Sequence, residues 1–223
     1  MLSLPNVTLV AVSSVDLDKT LFALSYSSHE IEFGAVKLLT SKYIQPSNSK
    51  IVVELTPDMD IWGYSKFVLM DLHRYIHTQY CLLIQADGFV LNASKWNPSF
   101  LEYDYVGAPW PPSLTILPWN LSINLTKNQV GNGGFSLRSK ALLQETAKID
   151  YDSLEFPCTS EDIIICHYLY DQMKSAGMKF PSPQLASQFS IESINAASGD
   201  NLKSSFGFHG KHLLNKVYEN ILG

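Results

Sequence analysis

Apolar positions in the first hundred residues fall into two kinds of block that take turns. Val7–Val12 is a short β-branched run that gives way to Ser13-Ser14, the pattern of a strand followed by a polar turn. Asp18–Tyr26 carries Leu21, Phe22 and Leu24 and predicts a helix capped by Asp16 or Asp18. Phe33–Leu39 and Ile51–Leu55 read as two more strands, the second stopped by Thr56-Pro57-Asp58. Tyr64–His77 sets Phe67, Met70, Leu72, Tyr75 and Ile76 at largely helical spacing. Tyr80–Ile84 is then an unbroken apolar run, as a parallel strand covered on both faces requires. This alternation predicts an α/β fold, a Rossmann-like and mainly parallel sheet flanked by helices. Ligands of such a sheet gather beyond the C-terminal ends of its strands, here Ser13-Ser14, Thr56 and Gln85-Ala86-Asp87-Gly88.

The pattern changes near residue 100. Residues 103–134 read as loop, with Pro109, Pro111, Pro112 and Pro118, and Trp96, Trp110 and Trp119 fall in or beside this stretch. Ile163–Lys174 predicts a helix closed by Gly177, residues 181–210 read as irregular, and Lys211–Leu222 predicts a last short helix. Neither a repeat nor a low-complexity tract divides the chain, so a single domain over residues 1–223 is expected.

Composition narrows the function. With 46% hydrophobic and 17% charged residues the chain can bury a core and is not a disordered segment. The net charge is −5 and only Arg74 and Arg138 are arginines, so no basic surface exists for nucleic acid, which is excluded as a partner. A bound diphosphate would need a metal ion or helix N-termini to balance it. Cys81, Cys158 and Cys166 form neither a CxxC pair nor an even set, which points away from a disulfide framework and towards a reducing compartment. The first residues lack a basic leader and no window reaches the roughly 18 apolar residues of a membrane span. A cytoplasmic protein with no transmembrane segment is expected, a peripheral position at a membrane staying open.

Four constellations could carry chemistry. Gln85-Ala86-Asp87-Gly88 puts a carboxylate at the mouth of a buried strand, where it could hold a divalent cation; an Asp-Gly turn alone would look the same. Gly131-Asn132-Gly133-Gly134-Phe135 suits close approach to a ligand or a tight turn, and lacks the GxGxxG spacing of a dinucleotide site. Ser160-Glu161-Asp162 opens a helix that Thr159 or Ser160 could cap. Its carboxylates serve either the helix dipole or a general base. His209, between Gly207-Phe208 and Gly210, is a candidate second metal ligand. His73 and His77 lack the Glu of HExxH and read as helix surface.

In this order the four constellations resemble the shared core of GT-A glycosyltransferases. The stretches LLIQADGFVLN, YDYVGAPW, VGNGGFSLRS, SEDIIIC and FGFHG are similar, over about residues 5–215, to a group of uncharacterised glycosyltransferase-like domains. The resemblance implies a nucleotide-sugar-binding half of about residues 1–100 and an acceptor-binding half of about 101–223. It implies a UDP- or GDP-sugar donor, with Ser13, Ser14, Gln85, Asp87 and Gly88 on the donor side. Asp87 and His209 would hold Mn²⁺ or Mg²⁺. Asp162 would be the general base of an inverting transfer to a saccharide or glycoconjugate, with Glu161 helping to hold donor or acceptor. Trp110, Gly133, Gly134 and Phe135 would form the acceptor side, Trp110 as a sugar-stacking platform. The usual Asp-x-Asp is Gln85-Ala86-Asp87 here, one anionic ligand short. A glycoside hydrolase, with its two carboxylates, and a non-catalytic carbohydrate-binding module remain alternatives. A nucleotidyltransferase would carry a Gly-rich, Lys/Arg-bearing signature that residues 7–30 lack.

Overall fold

The apolar run that opens the chain forms a strand longer than its β-branched core. In the computed structural model, which describes residues 1–192 and 202–221, β1 covers Leu2–Val12. Pro5 and Asn6 do not end it, because the pairing with β2 (Ile31–Thr40) slips between Leu4 and Thr8 and leaves both outside the ladder. A proline with no N–H to donate is tolerated at such an irregularity.

β2 pairs in parallel with β3 (Ile51–Leu55), and β1 with β4 (Tyr80–Ile84). Two antiparallel strands complete the sheet: β5 (Tyr105–Val106) and β6 (Phe135–Ser139). The order is β3-β2-β1-β4-β6-β5, a mixed and mainly parallel sheet in an α/β domain. Alternate residues of the central strands face opposite layers. Leu9, Ala11, Leu82 and Ile84 pack with Ala23 and Leu24 of α1 (Leu17–Ser27) and Leu213 and Val217 of α7 (Lys211–Ile221). Val10, Val12, Cys81 and Leu83 pack with Phe67 and Val68 of α2 (Ile61–Met70) and Leu143 of α3 (Lys140–Thr146). Helices thus cover both faces of β4, which accounts for its unbroken apolar sequence.

Several boundaries differ from the sequence expectation. Asp16 is the N-cap of α1 with a left-handed φ of 47°, and its side chain makes no capping bond. The helix expected from Tyr64 begins at Ile61, where Asp60 Oδ1 accepts the Gly63 N–H at 2.8 Å, and after Met70 it survives only as a 3₁₀ turn, Leu72–Arg74. β6 and α3 were not expected at all. Residues 103–134 contain an antiparallel hairpin of Ser113–Ile116 with Leu121–Asn124, and residues 181–210 contain α6 (Pro183–Phe189) and a parallel pairing of Ser190–Ile191 with Gly207–Phe208. The rest of that irregular stretch, 193–201, and Leu222 of the expected last helix lie outside the described residues.

The expected helix Ile163–Lys174 starts at Glu161 and is three pieces: α4 (Glu161–Ile163), a π-helical Ile164–Tyr168 and α5 (Tyr170–Ser175). The Leu169 N–H bonds to Ile164 O at 2.8 Å, one residue further than an α-helix allows. Asn128 Nδ2 donates to Cys166 O at 2.9 Å within the widened turn. Gly177 ends the helix as expected, with φ 89° and the bond pair Gly177 N to Lys174 O and Met178 N to Met173 O. Among the described residues no helix is long and apolar enough to cross a membrane.

Candidate active site

The C-terminal end of β4 turns sharply, Gln85 and Gly88 exchanging both backbone hydrogen bonds at 3.1 Å. The turn leaves Asp87 half-buried at the sheet edge and aims its carbonyl at the Gly210 N–H, 2.8 Å away. That tether carries His209 to the same place. Its Nε2 lies 3.2 Å from Gln85 Oε1 and 3.7 Å from Asp87 Oδ1. Burial works against the charged imidazole, but the carboxylates of Glu192, Asp87 and Asp162 outweigh it, so the His209 pKa is raised.

Antiparallel pairing of Phe135 with Ile84 puts the glycine loop beside this turn. Close packing explains its composition. A Cβ on Gly134 would stand 2.0 Å from His209 Nε2, and one on Gly133 would stand 2.1 Å from Glu161 Oε1. Asn132, at φ 76°, accepts the Gly134 N–H on its Oδ1 at 3.0 Å and so braces the loop from within.

The Gly133 N–H is taken by Asp162 Oδ2 at 2.9 Å, while Asp162 Oδ1 accepts the Ile163 N–H at 2.8 Å. Burial, then the carboxylates of Glu161 and Glu192, push the Asp162 pKa up to about 7, against the two backbone bonds. Ser160 is the N-cap of α4 but its hydroxyl makes no capping bond. Glu161 is placed differently from its neighbour. It is 5% exposed and its Oε1 meets Arg138 Nη2 at 2.6 Å. Arg138 is fully buried, its Nε donates to Ser136 Oγ at 3.0 Å, and its guanidinium lies 5.1 Å from the Tyr105 ring centroid. Glu161 is therefore occupied by a structural partner.

Ser13 and Ser14, expected on the donor side, follow β1, whose Ala11 is level with Ile84 of β4. Ser13 Oγ donates to Val15 O at 2.6 Å. Ser14 Oγ accepts the Ser41 N–H at 2.9 Å and lies 2.9 Å from Ser41 Oγ, whose hydroxyl donates to Asp58 Oδ1 at 2.7 Å. The ends of β1, β2 and β3 thus share one polar cluster. The Ser41 bond, then Lys42, holds the Asp58 carboxyl below its ordinary value.

Two candidates sit elsewhere than at an open surface. Trp110 is 7% exposed, its ring lies against Gly131, and its Nε1 donates to Glu192 Oε2 at 3.0 Å, so little of its face is free for stacking. The Phe135 ring is fully buried among Phe189 and Phe206. Four residues of the site were not singled out from the sequence. Tyr64 accepts Gln85 Nε2 on its hydroxyl at 3.1 Å, and burial, then Glu161, pushes its pKa up. Ser41 and Asp58 could have been found by applying the strand-end rule to β2 and β3. Glu192 carried no signal.

Asp87, His209 and the Gln85 amide oxygen could face a cation together. Among the described residues no cluster of three or more His, Cys, Asp or Glu side chains is arranged to hold a metal. The carboxylate and amide oxygens suit Mn²⁺ or Mg²⁺ and the imidazole nitrogen suits a transition ion better than Mg²⁺, and so few protein ligands fit an ion that shares its shell with phosphate oxygens.

The fold is that of GT-A glycosyltransferases. An active-site mutant of LgtC has a similar structure with a TM-score of 0.50 and 10% identity, over 92% of this chain and 87% of that one. Galactosyltransferase LgtC with donor and acceptor sugar analogs gives 0.49 and 12% over the same shares. A glycosyltransferase involved in glycosylation of the major capsid of PBCV-1 gives 0.49 and 12%, over 97% and 99%. At these identities the likeness speaks for fold alone. A search of curated proteins finds no significant match. Residues 53–209, well over half of the chain and inclusive of Asp87, Gly133, Asp162 and His209, match a family model, and the chain belongs to that family, described as "Protein of unknown function (DUF5672)".

Proposed function

We propose that this chain is a glycosyltransferase moving a sugar from a nucleoside-diphosphate donor, UDP- or GDP-linked, to a saccharide or glycoconjugate acceptor with inversion at the anomeric carbon. The observation that carries this reading is Asp162, a carboxylate with its pKa raised to about 7, set beside the glycine loop at the strand end that also holds Asp87 and His209. A base with a pKa near neutrality is matched to taking a proton from a hydroxyl.

The division of labour follows the two halves of the domain. Residues 1–100 bind the donor, with the Ser14–Ser41–Asp58 cluster facing the nucleoside and the Gln85–Gly88 turn facing the diphosphate. Residues 101–223 bind the acceptor. Asp87 and His209, with the Gln85 amide oxygen, would hold a divalent cation, which when bound supplies positive charge beside the leaving diphosphate. The Gly133 N–H fixes the direction of Asp162. The acceptor oxygen bonds to the anomeric carbon as the bond to the diphosphate breaks, and the hydroxyl proton passes to Asp162. No covalent intermediate is needed, so the buried cysteines have no part.

Asp162→Asn tests the assignment. The variant is expected to bind the donor nucleotide as the parent does and to lose about 10²–10⁴-fold in transfer. An Asn variant that turns over like the parent sinks the general-base role, and saccharide cleavage without any nucleotide moves the protein to the hydrolases.

A further inference from the structure

Glu192 has no part in the proposed transfer, yet one oxygen of its carboxylate is held by a hydrogen bond and the other faces His209. Oε2 accepts the Trp110 indole N–H at 3.0 Å, and Oε1 lies 3.6 Å from His209 Nδ1, slightly beyond hydrogen-bond length. An indole nitrogen can only donate, so it must find an acceptor oxygen, and this sets the rotation of Glu192. The indole itself is seated against Gly131, where a Cβ would come within 1.9 Å of the ring. His209 Nδ1 is buried and has no hydrogen-bond partner among the described residues. On the other side of the same ring, Nε2 faces Gln85 Oε1 and Asp87 Oδ1.

A neutral imidazole carries its proton on one nitrogen and a lone pair on the other, and whatever faces the first decides what the second can do. With a divalent cation beside Asp87, Nε2 would have to be the unprotonated nitrogen, and the His209 proton would lie on Nδ1, where the Glu192 carboxylate is the group placed to accept it. Histidines that ligate metals commonly have such an acceptor behind them.

We propose that Glu192, held by Trp110, is a positioning residue that keeps the His209 proton on Nδ1 and so turns the Nε2 lone pair towards a divalent cation shared with Asp87. The inference rests on the glycosyltransferase reading for the cation and adds to it the residue that orients the ligand.

The test is binding of Mn²⁺, followed by electron paramagnetic resonance of the free ion, to the full chain with UDP or GDP present. Parent, Asp87→Ala, Glu192→Gln, Glu192→Asp and Trp110→Phe are compared. Glu192→Gln should weaken Mn²⁺ by roughly 10–100-fold, the cost typical of losing an outer-sphere partner. Trp110→Phe, which frees the carboxylate but leaves its charge, should weaken it less. The order of the two Glu192 variants separates orientation from packing. Gln keeps the shape and loses the charge, Asp keeps the charge and shortens the side chain, so Asp should bind Mn²⁺ more tightly than Gln. Equal affinity of Glu192→Gln and parent, or Gln above Asp, overturns the proposal while the cation reading stands if Asp87→Ala abolishes binding. A parent that binds no Mn²⁺ with either nucleotide overturns both.

Discussion

At Asp162 burial and two neighbouring carboxylates favour the protonated acid, while the Ile163 and Gly133 N–H groups favour the ion, and the acid side prevails to give a pKa of about 7. Two consequences have opposite signs. As a base Asp162 works only when ionised, so the transfer rate should climb with pH and level off above about 7. For stability, the folded state holds a proton that the unfolded chain releases near pH 4, so this residue makes the fold less stable as pH rises from about 4 to 7, by up to about 1.4 kcal/mol per pH unit. Urea unfolding of parent and Asp162→Asn across this window should diverge in the variant's favour as pH rises. Parallel curves would mean the carboxyl titrates at its ordinary value. Gly134 offers a second residue-level test. In Gly134→Ala the added methyl meets the His209 ring, and overpacking of that kind costs about 1–3 kcal/mol. A lower melting temperature together with weakened nucleotide binding is expected, and an unchanged pair of values would place the ring elsewhere.

Strand β6 and the helix that begins at Glu161 are tied by one ion pair, Arg138 to Glu161. Burial opposes the Arg138 charge, while Tyr105 and Glu161 hold it in place. Removing one partner strands the other in a dry interior, so Arg138→Met should destabilise the protein by about 3–5 kcal/mol. Adding Glu161→Gln should recover most of that loss in a denaturation cycle, and additive losses would deny the coupling. This tie also explains why β6 was illegible. Phe135 and Leu137 alternate with Ser136 and Arg138, which reads as a half-exposed segment beside a glycine loop, yet all five residues of the strand are buried. The polar face is inside because Glu161, 23 residues further along, neutralises it. β4, by contrast, was legible because both its faces meet apolar helices.

On the scale of the whole molecule, the order β3-β2-β1-β4-β6-β5 gathers Ser13-Ser14, Gln85–Gly88, Gly133-Gly134 and Asp162 at one edge, as the strand-end rule requires. The parallel half of the sheet and that edge could be read from local pattern. The second half could not, because its short ladders form through pairings distant in sequence, such as Ala108 with Gly131 and Ser190 with Gly207. The burial of Trp110 was illegible for the same reason: Gly131 and Glu192, which cover and hold it, lie 21 and 82 residues away. The proposed function requires this edge to bind a nucleoside diphosphate. Calorimetric titration of UDP and of GDP, each with Mn²⁺ and with EDTA, is the decisive test. One nucleotide should bind with Mn²⁺, lose its affinity in EDTA, and fail to bind Asp87→Ala; no binding of either nucleotide under any of these conditions would contradict the account.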